Sequence, residues 1–381
     1  MRLSGAAASL AFFMAASALP ISMFNSKRDY PPVISPKVFV INMFEYEAKP
    51  WLKAMDFPNN VTTPGLSPLY PDIYCNEEFS VCEMTTGEGE INASGSMTAL
   101  GLSPMFNLTQ TYFLISGIGG GEPQFTTMGS VTFAKYAVQV ALQYQVSYQE
   151  FITTNKNWTS GYWGYGVSDP WTYPANVYGT EVFELNESLR DRAVELAETV
   201  DLDNGTDQNA VNRLLYDQDA ARALPAVVKC DVLTSDNYFT GNVLGDYFSA
   251  YASMMTNGTA QYCSTAQEDN ASLEALTRLS QAGLVDFARV VVMRTISDFT
   301  RPPPSRANDT VAWFNDPQSG GASAAFANLP IAGMPFVEDV LNNWDTIYLT
   351  GETYAPKNYI GDLFATLGGE PNFGKTSFEV A

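Results

Sequence analysis

The 381-residue chain contains no histidine, and only 20 lysines and arginines stand against 41 acidic residues, a formal charge of −21. Without imidazole there is no Ser-His-Asp or Cys-His nucleophile, no His-ligated zinc and no histidine base. Proton transfers must therefore fall to carboxylates, Lys, Tyr, Cys or water. The shortage of positive charge argues against nucleic acid or an anionic membrane surface as partner. Cysteine is scarce too, at four residues, and past the N-terminus no uninterrupted apolar run is long enough to span a bilayer. On this reading the chain forms no membrane pore by itself.

What the chain does have is apolar and aromatic content, 46% and 13%, enough for a large core. Arg2 precedes the apolar run Ala6–Ala16, which ends in Ala16-Ser17-Ala18. This pattern reads as a secretory signal cut after Ala18, with residues 19–35 a Pro/Ser-rich leader. Nine N-x-S/T sequons agree with a secreted or cell-surface, N-glycosylated protein: Asn60, Asn92, Asn107, Asn157, Asn186, Asn204, Asn257, Asn270 and Asn308. The four cysteines allow three pairings, of which Cys75–Cys82 with Cys230–Cys263 is the simplest, unpaired buried thiols being the alternative.

Continuous apolar segments at 37–43, 81–86, 111–116, 131–146, 227–234 and 289–296 read as buried strands. Helical spacing at 91–102, 187–199, 207–224, 244–256, 270–282 and 337–344 falls between several of them. The alternation predicts one α/β domain over 36–381 with a central sheet. An insertion at about 155–183, dense in Trp, Tyr, Gly and Pro, reads as a lid or packing flap, or as a loop folded on itself.

Acidic or Gly-rich turns follow three strands: Asn42–Glu47, Thr86-Gly-Glu-Gly-Glu90 and Ser116-Gly-Ile-Gly-Gly-Gly-Glu122. In open α/β sheets ligands bind where such turns cluster, and Gly lets a backbone approach them closely. A fourth strand closes on Arg294-Thr-Ile-Ser-Asp298, and an arginine inside an apolar strand needs an anionic partner, for which Glu47 is a candidate.

The order of these motifs resembles the nucleoside phosphorylase superfamily, especially the methylthioadenosine/S-adenosylhomocysteine nucleosidases, and more closely the secreted fungal purine nucleoside permeases. Thr86–Ala93 resembles Ser-Gly-Ile-Gly-Lys-Val-Asn-Ala. Ser116–Gly121 followed by Met128–Val131 resembles Thr-Gly-x-x-Gly-Gly and Val-Gly-Asp-Val. Thr234–Phe239 resembles Ser-Gly-Asp-x-Phe, Glu268–Ala271 resembles Glu-Met-Glu-Ala, and Arg294–Asp298 resembles Arg-Ala-Ile-Ser-Asp.

The resemblance implies a three-layer α/β/α fold with a central mixed sheet, nucleoside phosphorylase-like, and a purine nucleoside as ligand, with no cofactor or metal; a homo-oligomer is left open. It places Asp298 at purine N7, Phe239 on the base, Glu47 at the attacking water or a ribose hydroxyl, and Arg294 near the water or anion. Glu268 or Asn270 falls near the ribose hydroxyls, and Gly87, Gly117, Gly119 and Gly120 along the ligand. Two departures bear on chemistry: Asn270 stands where nucleosidases carry a ribose-binding glutamate, and Ile118 where they carry a serine. The arginines that hold phosphate in phosphorylases have no counterpart beyond Lys49. Hydrolysis of the N-ribosidic bond, or binding without turnover, is accordingly expected over phosphorolysis.

Overall fold

Val38-Phe-Val-Ile-Asn42 is buried at every position, as a β-branched run covered on both faces must be. In the computed structural model, which describes residues 33–373, this segment is β1 at the middle of the sheet. The chain continues through α1 (Glu45–Ala54), β2 (Asn59–Thr62), β3 (Asp72–Cys75), β4 (Val81–Thr85), α2 (Glu90–Leu102), β5 (Tyr112–Gly121), β6 (Val131–Phe133) and β7 (Tyr136–Gln139). A ribbon of β8 (Tyr144–Gln145) and β9 (Tyr162–Trp163) brackets α3 (Tyr148–Phe151). Next come β10 (Val182–Glu184), α4 (Glu187–Ala197), α5 (Asp207–Arg213), α6 (Asp219–Arg222), β11 (Val227–Lys229) and β12 (Asp231–Thr234). The chain then forms α7 (Asn242–Met255), β13 (Tyr262–Ala266), α8 (Asp269–Gln281), β14 (Val290–Phe299), α9 (Thr310–Phe314), α10 (Ala322–Asn342) and β15 (Gly361–Asp362).

The main sheet is mixed. β1 lies parallel between β4 and β5, and β14 runs parallel beside β5, whereas β3 is antiparallel to β4 and β6 to β14. Val38 and Val40 join a core with Trp51 of α1, Leu189 of α4 and Phe336 of α10. Phe39 points the other way and meets Phe106, just past α2, and α2 packs against α8, where Gly101 leaves no room for a Cβ beside Leu279. This is the mixed sheet between helical layers expected from the sequence. Both simple cysteine pairings are present, each joining neighbouring strands: Cys75 to Cys82 across β3 and β4, and Cys230 to Cys263 beside β12 and β13. Among the described residues no helix is long and apolar enough to cross a membrane.

Several boundaries differ from the sequence reading. The signal segment and all but the end of the leader lie outside the described residues. Ile34, assigned to the leader, is buried and bridges to Phe106, so it is part of the domain. The strand expected over 131–146 breaks after Phe133 because the amides of Lys135 and Tyr136 turn to Asp231 Oδ1, at 3.0 and 2.8 Å. The helix expected over 207–224 stops at Arg213, whose guanidinium turns inward to the carbonyls of Met128 and Asn204. The acidic segment after β1 is not a turn but the start of α1. The aromatic insertion packs on itself and on α7, with Tyr162 against Phe248 and Trp171 against Tyr247, and does not line the main cleft.

One buried acid carries a cost. Glu83, inside β4, receives a hydrogen bond from Thr85 Oγ1 at 3.0 Å, while its other oxygen has no partner. Burial pushes its carboxyl up to about 8, with the Thr85 bond opposing. A carboxyl raised on folding favours the folded chain fully below its unfolded pKa of about 4.5, and that contribution is lost as pH climbs through about 8. Glu83→Gln should therefore melt a few degrees above the parent chain at about pH 8 and nearly with it at about pH 4. Thermal unfolding of both chains across that range checks the sign.

Candidate functional site

The cleft is built by one strand pair. β5 does not end at Ser116; the Gly-rich segment expected as a turn continues it to Gly121, in parallel register with β14. Arg294 pairs with Gly117, Thr295 with Ile118 and Ile296 with Gly119. The register then shifts, so that Asp298 opposes Gly120 and Ser297 is the extra residue. Such bulges re-aim side chains at a sheet's functional edge. Gly117 is required by packing: a Cβ there would fall against Met43 Cε, Arg294 Nη1 and Glu47 Oε1.

About 620 Å³ of free space, partly open to solvent, lies over this edge. Glu47, Ile118, Phe239, Glu268, Arg294 and Ser297 line it, together with Gly119, Gly120 and Glu88. Glu47 projects from the first turn of α1 and is buried. Its Oε2 accepts from the Met43 amide and its Oε1 from the Ile118 amide, both at 2.7 Å. Burial pushes the carboxyl up to about 8 against the pull of Arg294, with nearby Glu268 adding to the rise.

Arg294 is 2% exposed. Its Nε donates to Asp269 Oδ2 at 3.2 Å, its Nη2 to Asp269 Oδ1, and its Nη1 to the Ile118 carbonyl at 3.0 Å. Glu268 Oε2 stands 3.5 Å from Nη2. Burial works against the guanidinium charge, and the carboxylates of Asp269, Glu268 and Glu47 outweigh it, leaving the group above its ordinary range. The fork thus closes on Asp269 rather than on Glu47, which the sequence offered as its partner. Glu268 itself is raised by burial, with Arg294 opposing, and its Oε1 accepts from the Gly89 amide at 3.0 Å.

Phe239 is buried at the far wall, edge-on to Phe248 with ring centroids 4.7 Å apart. Asp298 sits beyond Ser297; its Oδ1 accepts from Ser297 Oγ at 2.6 Å and from the Tyr238 hydroxyl at 3.2 Å. Burial raises this carboxyl and the two hydrogen bonds oppose.

Four expected positions do not line the cleft: Asp298, which walls an adjoining hollow, Gly117, which is packed behind Met43, Arg294 and Glu47, and Asn270 and Gly87. Asn270 does not line the cleft: its amide nitrogen donates to the Thr180 carbonyl at 2.7 Å, and its oxygen accepts from Thr234 Oγ1 at 2.6 Å. One residue into α8, its side chain turns inward and ties the aromatic insertion to β12. Gly87 lies outside the wall, where φ of +88° carries the chain toward α2, and the neighbouring Glu88 takes the lining position. Asn92, inside the Thr86–Ala93 motif, is exposed on α2. Asp269, Tyr238 and Ser297 had been assigned no part; the buried arginine's need for a counter-ion was the signal that could have singled out Asp269.

Residues 35–353 match the profile of the family described as "Purine nucleoside permease (NUP)". The chain is 61% identical over 349 residues to a purine nucleoside permease of Candida albicans, covering 92% of this chain and 86% of that one. It is 43% identical over 322 residues to a probable purine nucleoside permease of Schizosaccharomyces pombe, covering 82% and 91%. Among solved structures it is similar to a 5'-methylthioadenosine/S-adenosylhomocysteine nucleosidase of Neisseria meningitidis, with 12% identity, TM-score 0.46 and coverage of 80% and 100%. It is also similar to a futalosine hydrolase of Helicobacter pylori, with 12% identity, TM-score 0.47 and coverage of 81% and 98%.

The Arg294–Asp269 pair should dominate local stability. Asp269→Asn leaves a buried cation short of its counter-ion and should cost on the order of 3 kcal/mol in urea unfolding. Combining Arg294→Met with Asp269→Leu should return only part of that loss, since buried Glu47 and Glu268 then lose their neighbouring cation.

Proposed function

The chain belongs to the purine nucleoside permease family, and from that premise we propose that its cleft captures purine nucleosides outside the cell and hydrolyses their N-ribosidic bond. The observation that carries this reading is the electrostatics of the cleft. Among the described residues lining it Arg294 is the sole cation, and each of its three nitrogens already donates to Asp269 or the Ile118 carbonyl. Glu47 and Glu268 surround the rest. A carboxylate-rich, partly desolvated wall stabilises the cationic sugar of N-glycosidic cleavage and disfavours a phosphate dianion.

In this proposal Glu47 takes a proton from water as the water oxygen bonds to C1′. The C1′–N9 bond breaks, its electron pair passes to the purine, and protonated Asp298 delivers a proton to N7. Phe239 offers its ring to the base, and the amides of Gly119 and Gly120 lie along the ligand. The signal-like N-terminus and two disulfides support an extracellular site. N-glycans fit the exposed sequons Asn92, Asn107, Asn157, Asn204, Asn257 and Asn308. They do not fit Asn186 and Asn270, whose buried amides are held by backbone carbonyls. A second reading, capture for uptake without turnover, is favoured by the hydrogen bonds that already occupy Asp298 Oδ1 and by the family's name.

Incubating the purified chain with inosine, adenosine, guanosine and uridine, with and without phosphate, separates the readings. Free purine and ribose should appear without phosphate, and Asp298→Ala should slow release at least about a hundredfold. Saturable binding with no release would establish the capture reading, and release that requires phosphate would remove the electrostatic argument.

Glu47 supplies an independent check. Because a base must be ionised and burial lifts this carboxyl to about 8, kcat/KM should rise about tenfold per pH unit below about pH 8. Glu47→Gln should be slow and lack that rise; an unchanged profile would take Glu47 out of the proton transfer.

A further inference from the structure

Beside the cleft lies a second hollow of about 640 Å³, walled by Asp298, Phe299, Trp313 and Phe314. The two spaces share Ile118, Tyr238 and Ser297. Tyr238 is the longest of the three and reaches across the boundary: its ring stands 5.4 Å from Phe314 and its hydroxyl donates to Asp298 Oδ1. The residue is nevertheless 58% exposed overall. Asp298 Oδ2, in contrast, is buried and has no hydrogen-bond partner. It lies 3.5 Å from where a Cβ on Gly120 would sit, with Thr300 Cγ2 and Thr265 Oγ1 closer to that point, so Oδ1 is the oxygen that faces Tyr238 and the boundary.

We propose that Tyr238 is a gate between the two spaces, resting on the nucleoside reading of the cleft. In the arrangement seen here its phenol donates to Asp298 Oδ1. When a purine enters, the tyrosine swings off the carboxylate, the base takes over Asp298, and the hollow walled by Trp313 and Phe314 receives the far edge of the bicyclic ring. The rotation exchanges one hydrogen bond for another, and an exposed phenol meets water as it leaves. Base entry therefore competes with an internal hydrogen bond, which lowers affinity by the worth of that bond. The partly buried Phe314 ring and the ring of Tyr238 offer faces on which the planar edge of a purine can pack, beside the buried Trp313.

Tyr238→Phe keeps the ring and removes the hydroxyl. Titrating inosine into the full chain by calorimetry should show about fivefold tighter binding for this variant, the worth of one net hydrogen bond. Stopped-flow tryptophan fluorescence should show faster association. In the parent chain inosine should change the tryptophan signal, and Trp313→Phe should abolish most of that change. Binding by Tyr238→Phe at parental affinity and rate would overturn the gate while leaving the nucleoside site in place. A signal change that survives Trp313→Phe would overturn the placement of the base edge in the aromatic hollow. A parent chain that binds no nucleoside would remove the site reading, and the gate with it.

Discussion

The buried fork between Arg294 and Asp269 is the constraint on which the site depends. It ties the middle of β14 to the first residue of α8, and the same guanidinium reaches the Ile118 carbonyl of β5. Two charges removed from water are tolerated only when geometry and extra hydrogen bonds compensate. Here one arginine saturates a carboxylate, a backbone carbonyl and the field of two more acids. The position of α8 sets where Glu268 stands, and Ile118 in turn donates its amide to Glu47.

The second constraint is steric. β5 and β14 can approach the cleft only because β5 lacks side chains at alternating points. Gly117 leaves space for Arg294 and Glu47, and Gly119 faces the Thr265 carbonyl too closely for any Cβ. The bulge at Ser297 then turns the end of β14 so that Ser297 lines the cleft and Asp298 the hollow beside it. Register, glycine and bulge together convert a continuous sheet into a wall with acids at three depths.

The acids are not equivalent. Glu47 and Glu268 are buried near a cation, whereas Asp298 is half-buried with only neutral donors. Burial raises all three carboxyls, and what opposes the rise differs: a guanidinium beside Glu47 and Glu268, two hydroxyls beside Asp298. The absence of histidine is no handicap to such an arrangement, because burial supplies the tuning that imidazole provides by its nature.

Much of this was legible in the sequence. The fully apolar run at β1, the placement of Glu47 and Glu268 just past strands and the burial of Arg294 inside one follow from local pattern, because a buried strand and its ends leave a signature in consecutive residues; of the three cysteine pairings the simplest is the one formed. The lengths of β5, α5 and the strand after Ser130 did not, since each is set by a distant partner: β14 extends β5, Met128 captures Arg213, and Asp231 interrupts the ladder. Asn270 shows the limit most clearly. Its motif places it beside the sugar, but a side chain one residue into a helix points wherever the helix phase directs it, and here that is toward Thr180 and Thr234. The sequence by itself determined which residues carry charge and which must be buried, because hydrophobicity and residue type are local properties. Only the tertiary structure decided that Arg294 closes on Asp269 and that Tyr238 holds Asp298, because each of those contacts spans 25 or 60 residues of chain and is selected by packing rather than by spacing.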